Sequence, residues 1–350
     1  MGYPVLDVDE FLSKANEKGF TVVDARSESE YAHAHFPGSV NIPILNDHER
    51  KLVGTSYKEN GKQAAMLLGF ELVGPRFHQI ITDASNQLEG QQLLMYCWRG
   101  GMRSNILAWL LSMYGFQVHL LKGGYKAYRN KVLEVNSLQR NFLVVGGPTG
   151  SGKTALLKHL SIHHEPVLDL EGMAHHKGSA FGSLGQQPQP SNEQFENHLA
   201  HALMRYSMDT WIWIENESRT IGSCVVPEAI FNQIRLSPVI ELVVPLPIRK
   251  IRIEQEYGQF SIEQLSEKTE KIKKRMGPQH LKSALDALQH GSFDGWLTIV
   301  LEYYDRLYAY GTGLRNQDSI TKVHTDLNDM DGLVQQLIQI KSMKQLHEHE

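Results

Sequence analysis

Asn141 to Leu160 reads NFLVVGGPTGSGKTALLKHL. The run NFLVV is apolar and short, as a buried strand is, and ALLKHL opens a helix. Between them, Gly147, Pro148, Thr149, Gly150, Ser151, Gly152, Lys153 and Thr154 match G-x-x-x-x-G-K-[ST] in full. Such a turn cradles a diphosphate on backbone N–H groups, with Lys153 reaching the terminal phosphates and the Thr154 hydroxyl available to Mg²⁺. Strand, phosphate loop and helix in this order predict an α/β unit with a largely parallel sheet.

Further strands are expected at PVLDL (Pro166 to Leu170), TWIWIE (Thr210 to Glu215) and PVIELVVP (Pro238 to Pro245). Residues 177–192, rich in Gly, Gln, Pro and Ser, read as a mobile loop. Residues 246–309 read as helical, and SMKQLHEHE from Ser342 as a frayed polar end. Diphosphate binding does not establish ATP hydrolysis, and no adenine-specific signal is visible. Glu215 and Arg219, in WIWIENESRTIG, form a candidate second site in this unit. Glu215 orients a metal or water there, or it merely caps a strand end and pairs with Arg219.

Upstream, YCWRGGMRS runs from Tyr96 to Ser104. The strand QLLMY (Gln92 to Tyr96) feeds directly into Cys97, and a helix is expected from Ser104 to Tyr114. N–H groups converge at such a strand-to-helix turn, and a thiol at its base is favoured as the reactive thiolate. Arg99 and Arg103 supply donors suited to an oxyanion. Gly100 and Gly101 let the backbone curl inward. Around this turn lie a strand at FTVVD (residues 20–24), a helix at SESEYAHA capped by Ser27 with Glu30, a Pro-Gly turn in HFPGSVNIP, an amphipathic helix over 58–70, and a strand at FQVHLL before Gly123-Gly124. That alternation is again α/β.

The 350 residues suit two domains, with 41% hydrophobic and 21% charged content. A net charge of -4 excludes an all-over basic coat, so nucleic-acid contact needs a local patch. Two distant cysteines, Cys97 and Cys224, make neither a disulfide framework nor a CxxC metal site, and no metal site is expected. No secretory signal and no long apolar run is visible, which predicts a cytoplasmic protein without a membrane span.

VVDARSESEYAHAHFPGSVNIP, with Asp24, Arg26, Glu30, His35, Pro37 and Gly38, resembles the rhodanese superfamily, as does the closing LKGGYKAYR. Ala34, Phe36 and Tyr128 stand where that superfamily usually has glycine, isoleucine and tryptophan. Cys97 to Arg103 is C-x(5)-R, one residue longer than the C-x(4)-R of sulfur-transferring relatives and similar to phosphatase relatives. The longer turn fits a tetrahedral phosphate-bearing substrate, whether selenophosphate or a phosphate ester.

Together with GPTGSGKT, LEGMAHHKGSAFG (Leu170 to Gly182) and WIENESRTIG, the whole chain resembles the tRNA 2-selenouridine synthase family. The resemblance implies an α/β chain with a rhodanese-like domain over residues 1–132. A P-loop NTPase-like parallel-sheet domain with a helical C-terminal part follows over 133–350. It implies geranylation of the sulfur of wobble 2-thiouridine in tRNA from geranyl diphosphate, then replacement by selenium from selenophosphate through a Cys97 perselenide. Trp98, Arg99, Gly100, Gly101, Met102 and Arg103 then bind selenophosphate, and Gly147 to Thr154 bind the diphosphate. An enzyme that supplies selenophosphate is a further expected partner. A sulfurtransferase or C-x(5)-R phosphatase fused to a small-molecule kinase is the alternative, and a non-catalytic binding module a third.

Lys271, Lys273, Lys274 and Arg275 are a weaker candidate tRNA surface, extended by Arg249, Lys250 and Arg252. Taken singly, each reads as part of a solvated helix face. His163-His164 and His175-His176 read as solvated or core-edge rather than metal-binding, because adjacent side chains diverge. Tyr303, Tyr304, Tyr308 and Tyr310 are base-stacking candidates that read more readily as core. Trp211, Trp213 and Phe181 are candidates for a geranyl pocket, indistinguishable in sequence from core.

Overall fold

The computed structural model describes residues 3–347. The chain divides into two compact units, one running to Val135 together with Glu196–His201, the other comprising Asn136–Phe195 and the chain from Ala202 onward.

The first unit holds five strands, β1 (Val5–Leu6), β2 (Phe20–Asp24), β3 (Val40–Asn41), β4 (Gln92–Tyr96) and β5 (Gln117–Leu121), in the order β1-β5-β4-β2-β3. All neighbours are parallel, and Asp24 lies opposite Tyr96 at the strand ends. The central strands are buried on both faces, which is why VVD and LLMY are continuous apolar runs. Val23, Leu93, Met95, Leu107 and Leu111 form their core. Capping boxes start three helices, at Asp7 with Glu10, Ser27 with Glu30 and Asn46 with Glu49. The helix expected over 58–70 is part of a longer one, Asp47–Val73, broken at Gly61 where φ is 85°. That break blurs the single apolar stripe and hides the true length from periodicity.

The second unit has a parallel sheet of β6 (Asn141–Gly146), β7 (Val167–Leu168), β8 (Trp211–Glu215), β11 (Val239–Val243) and β12 (Ile320–His324), ordered β12-β11-β6-β8-β7. A two-stranded ribbon, β9 (Thr220–Ile221) with β10 (Cys224–Val225), stands apart from it. PVLDL yields only two strand residues, because Asp169 accepts the Gly172 N–H and caps the short helix Leu170–Ala174. The edge strand ITKVH has a single buried residue, Val323, and gave no apolar run to read.

Helices fill most of residues 246–313, around a second core that includes Phe181, Leu265, Leu288, Trp296 and Leu301. Residues 177–192 are not a free loop. Phe181 packs edge-on against Trp296, and Gln189 donates to the carbonyls of Ala174 and Ile221 and accepts from the Ser223 N–H. The expected frayed end is likewise helical as far as His347, within Met330–His347; residues 348–350 lie outside those described. Among the described residues no helix is long and apolar enough to cross a membrane.

Candidate functional site

Two turns hold most of the candidate site residues. In the first unit β4 ends at Tyr96, and Cys97 begins the turn that Gly101 closes as N-cap of the helix Met102–Tyr114. Cys97 is buried, and its Sγ accepts the Gly101 N–H at 3.3 Å and the Ser104 hydroxyl at 3.2 Å. Ser104 is fully buried and has a second acceptor, the Gly101 carbonyl, at 3.1 Å. The N–H groups of Trp98, Arg99 and Gly100 have no acceptor among the described residues. They are donors left over at a helix start, the arrangement that receives an anion.

The turn is anchored from behind by a second helix, Gly124–Ser137. Tyr125 N donates to Cys97 O at 2.8 Å and Lys126 N to Trp98 O at 3.0 Å. Gly124 has φ +60°, and a Cβ there would stand 2.2 Å from Cys97 O and 2.4 Å from Gly100 N. Beneath the turn, the buried Arg26 forks onto Asp24 and donates to the Ala34 carbonyl, with its guanidinium 3.9 Å from the centre of the Tyr125 ring.

Of the residues expected at this turn, Arg99 is exposed, while Trp98 and Met102 are each 40% exposed. Arg103 is not idle: it forks onto Glu30, which also caps Ser27 and lies 3.8 Å from Arg50. Burial raises the Glu30 carboxyl, but the hydrogen bond and charge of Arg103, aided by Ser27 N–H and Arg50, outweigh it and hold the group below its ordinary value. Ser104, Gly124 and the Glu30 clamp were absent from the expected site. LKGGYKAYR and the capping pair signalled the last two, whereas Ser104 carried only the signal of lying one residue past the arginine.

In the second unit Gly147 to Thr154 lie between β6 and the helix Lys153–Ile162. Lys153 Nζ donates to the Gly147 carbonyl at 2.9 Å, bending the side chain back over the turn. Thr154 Oγ1 donates to Glu171 Oε2 at 2.8 Å, and Glu171 N donates to Glu215 Oε2 at 3.2 Å. Glu217 joins them: its Oε2 and the Glu171 Oε1 flank the same point beside Gly178. Burial raises all three carboxyls; the charge of Glu171 adds to it at Glu215 and Glu217, and those of Asp169 and Glu256 at Glu171, with Glu217 pushed up to about 8 although the charge of Lys153 opposes it. Glu215 is fully buried, and its Oε1 has no hydrogen-bond partner.

Arg219 is not part of this cluster. It pairs at 3.5 Å with Glu228, both well exposed; β8 has ended at Glu215, and Arg219 directly precedes the β9–β10 ribbon. From LEGMAHHKGSAFG the residue that reaches the phosphate loop is Glu171; Lys177 pairs instead with Glu256. Arg252 lies beside the loop, its guanidinium 3.4 Å from where a Gly152 Cβ would be.

The extended basic track does not hold together. Arg249 is buried against Asp305 and Thr149, and Lys250 pairs with Asp294. Lys271, Lys273, Lys274 and Arg275 are exposed, with Lys271 3.3 Å from Glu267. Trp211, Trp213, Phe181 and Tyr303 are core residues; Tyr304 accepts the Ala180 N–H, and Tyr310 is exposed. His163 pairs with Asp331 and His175 with the Pro188 carbonyl.

Against known proteins, residues 140–337 match the model described as tRNA 2-selenouridine synthase AAA domain, and residues 7–131 match the Rhodanese-like domain. The tRNA 2-selenouridine synthase of Nitrosomonas europaea is 40% identical over 244 residues, a stretch covering 67% of this chain and 63% of that protein. Those of Pseudomonas putida and Psychromonas ingrahamii are 36% and 33% identical, each over 83% of this chain and 87% of the relative. The cysteine turn and the phosphate loop thus lie within the two matched domains, in the order the relatives share over most of their length, and the chain belongs to the tRNA 2-selenouridine synthase family.

Proposed function

We propose that this chain converts 2-thiouridine at the wobble position of tRNA to 2-selenouridine in two steps, S-geranylation from geranyl diphosphate and exchange of the S-geranyl group for selenium from selenophosphate. One observation carries the reading: the chain holds two strand-to-helix turns of different chemistry, one with a thiol at its floor and one with an amine and a hydroxyl. Two anionic co-substrates, each bearing phosphorus, match that pair.

A thione sulfur is a poor leaving group. Alkylation makes C2 of the base electrophilic and lets the sulfur depart as a thiolate. At the phosphate loop, Lys153 and the backbone N–H groups take up the charge that develops on the departing diphosphate. The Thr154 hydroxyl and the Glu171 carboxylate are hard oxygen donors at one place, and the neighbouring carboxyls lack cations beyond Lys153; these residues fit Mg²⁺. Bound there, the ion would neutralise diphosphate charge. At the cysteine turn, Cys97 is the nucleophile toward selenophosphate, with Trp98 to Met102 and Arg103 around its phosphoryl oxygens. Lys271, Lys273, Lys274 and Arg275 supply part of the tRNA contact. A separate enzyme supplies selenophosphate.

Nucleoside mass spectrometry tests the reading. Thiolated tRNA incubated with the protein, geranyl diphosphate and selenophosphate should yield selenouridine, and a Cys97→Ala protein should stop at geranylthiouridine. Absence of any base modification by the unaltered protein rejects it.

A further inference from the structure

Resting on the selenium-transfer reading above, we infer that Cys97 attacks the phosphorus of selenophosphate rather than its selenium. The turn forms a phosphocysteine and releases selenide beside it.

Electron counting excludes the perselenide route as it stands. If the Cys97 thiolate took selenium, the P–Se electron pair would stay on phosphorus, and phosphite would leave. Release of phosphate together with a perselenide needs an oxidant that neither the chain nor the two co-substrates provide. Attack at phosphorus needs none. The thiolate forms an S–P bond, the P–Se bond breaks, and selenium departs with its pair as HSe⁻. HSe⁻ then adds at C2 of the S-geranyl base, the C2–S bond breaks, geranylthiolate leaves, and the selenium proton moves to N3. Water finally cleaves the S–P bond and returns the Cys97 thiolate with dihydrogen phosphate. Phosphorus and selenium keep their oxidation states throughout.

The geometry is that of a phosphoryl receiver. Sγ lies at the floor of the turn, held by Gly101 N–H and the Ser104 hydroxyl. Three further N–H groups, from Trp98, Arg99 and Gly100, have no acceptor among the described residues, a number that matches the three equatorial oxygens of a phosphoryl group in transfer. Arg103 is held by Glu30, and the exposed Arg99 adds charge at the rim. A selenium atom alone, large and soft, has no use for so many donors.

Ser104 is the positioning residue of the scheme. Its hydroxyl has Sγ at 3.2 Å and the Gly101 carbonyl at 3.1 Å. It bonds to the sulfur while that is a thiolate and turns to the carbonyl once the sulfur is esterified. It then returns to stabilise the thiolate as water displaces it.

The experiment uses the full chain, tRNA already carrying geranylthiouridine, and selenophosphate labelled separately with radiophosphorus and radioselenium. The reaction is quenched in neutral denaturant within one turnover. Radiophosphorus on the Cys97 peptide, absent from Cys97→Ala, with phosphate as the final product, is the expected result. Ser104→Ala should accumulate the phosphoenzyme about tenfold by slowing its hydrolysis, and Ser104→Thr should restore turnover. Radioselenium without radiophosphorus on Cys97, accompanied by phosphite, overturns the inference. So does selenouridine formation with neither label on the protein, which leaves the selenium-transfer reading standing. If the unaltered protein makes no selenouridine from this tRNA, the reading and the inference both fall.

Discussion

Arg249 grips the phosphate loop by its backbone: Nε donates to the Thr149 carbonyl at 2.8 Å, while the two terminal nitrogens fork onto Asp305. The side chain is only 6% exposed, so its alanine variant leaves Thr149 O without its donor and Asp305 without its counter-ion. Because Asp305 is partly exposed, the ion pair itself counts for little, and the expected loss in denaturant unfolding is about 2 kcal/mol. Geranyl transfer should suffer as the loop loosens, with selenium transfer to geranylated tRNA unchanged.

Lys153→Ala should cut geranyl transfer about 10²- to 10³-fold, the cost of losing one preorganised charge on a leaving group. Its selenium transfer to tRNA supplied already geranylated should stay within about twofold of the unaltered protein's, because the proposed scheme gives each half-reaction its own turn. A comparable fall in both half-reactions would sink that division of labour.

Gly124→Ala should damage the cysteine turn without touching the cysteine. The new Cβ overlaps Cys97 O and Gly100 N in a left-handed backbone. Overlap and strain together predict about 3 kcal/mol of destabilisation and loss of selenium transfer. Gly61→Ala, also left-handed but with nothing within 4 Å of its Cβ, is the control for backbone strain alone.

Glu30→Gln should free Arg103, which is clamped on it now. Selenium transfer should fall about tenfold as the guanidinium loses its orientation, and geranyl transfer should not change. Arg103→Lys, which cannot fork, should cost more, about 10²-fold.

A pH dependence follows from Glu217. Its carboxyl is pushed up to about 8 from an ordinary 4.5, so the folded chain keeps a proton that the unfolded chain releases. Stability is therefore lost as pH rises through that window. Glu217→Gln should flatten the decline, measured by urea unfolding in chelator between about pH 5 and about pH 9.

Both turns were legible in sequence because each is a contiguous run between a strand and a helix: Cys97 to Arg103 and Gly147 to Thr154. What completes them was not, since it comes from elsewhere in the chain. Gly124 and Tyr125 back the first turn from the next helix, and Glu171 and Glu217 reach the second from two separate connections. Arg219 misled for the opposite reason. It is near Glu215 in sequence, but β8 ends at Glu215 and the ribbon begins at Thr220, directly after Arg219. The second unit's edge strand escaped notice because only Val323 of ITKVH is buried, so no apolar run marks it.

The hydrogen bonds from Tyr125 and Lys126 to the carbonyls of Cys97 and Trp98 also set an order of events during synthesis. A chain emerging from the ribosome exposes Cys97 well before the segment that fixes its turn. Until Lys126 has cleared the exit tunnel, the Cys97 turn lacks these two bonds. The backbone anchors of the turn thus arrive with the helix Gly124–Ser137, and a chain ended before Tyr125 lacks both.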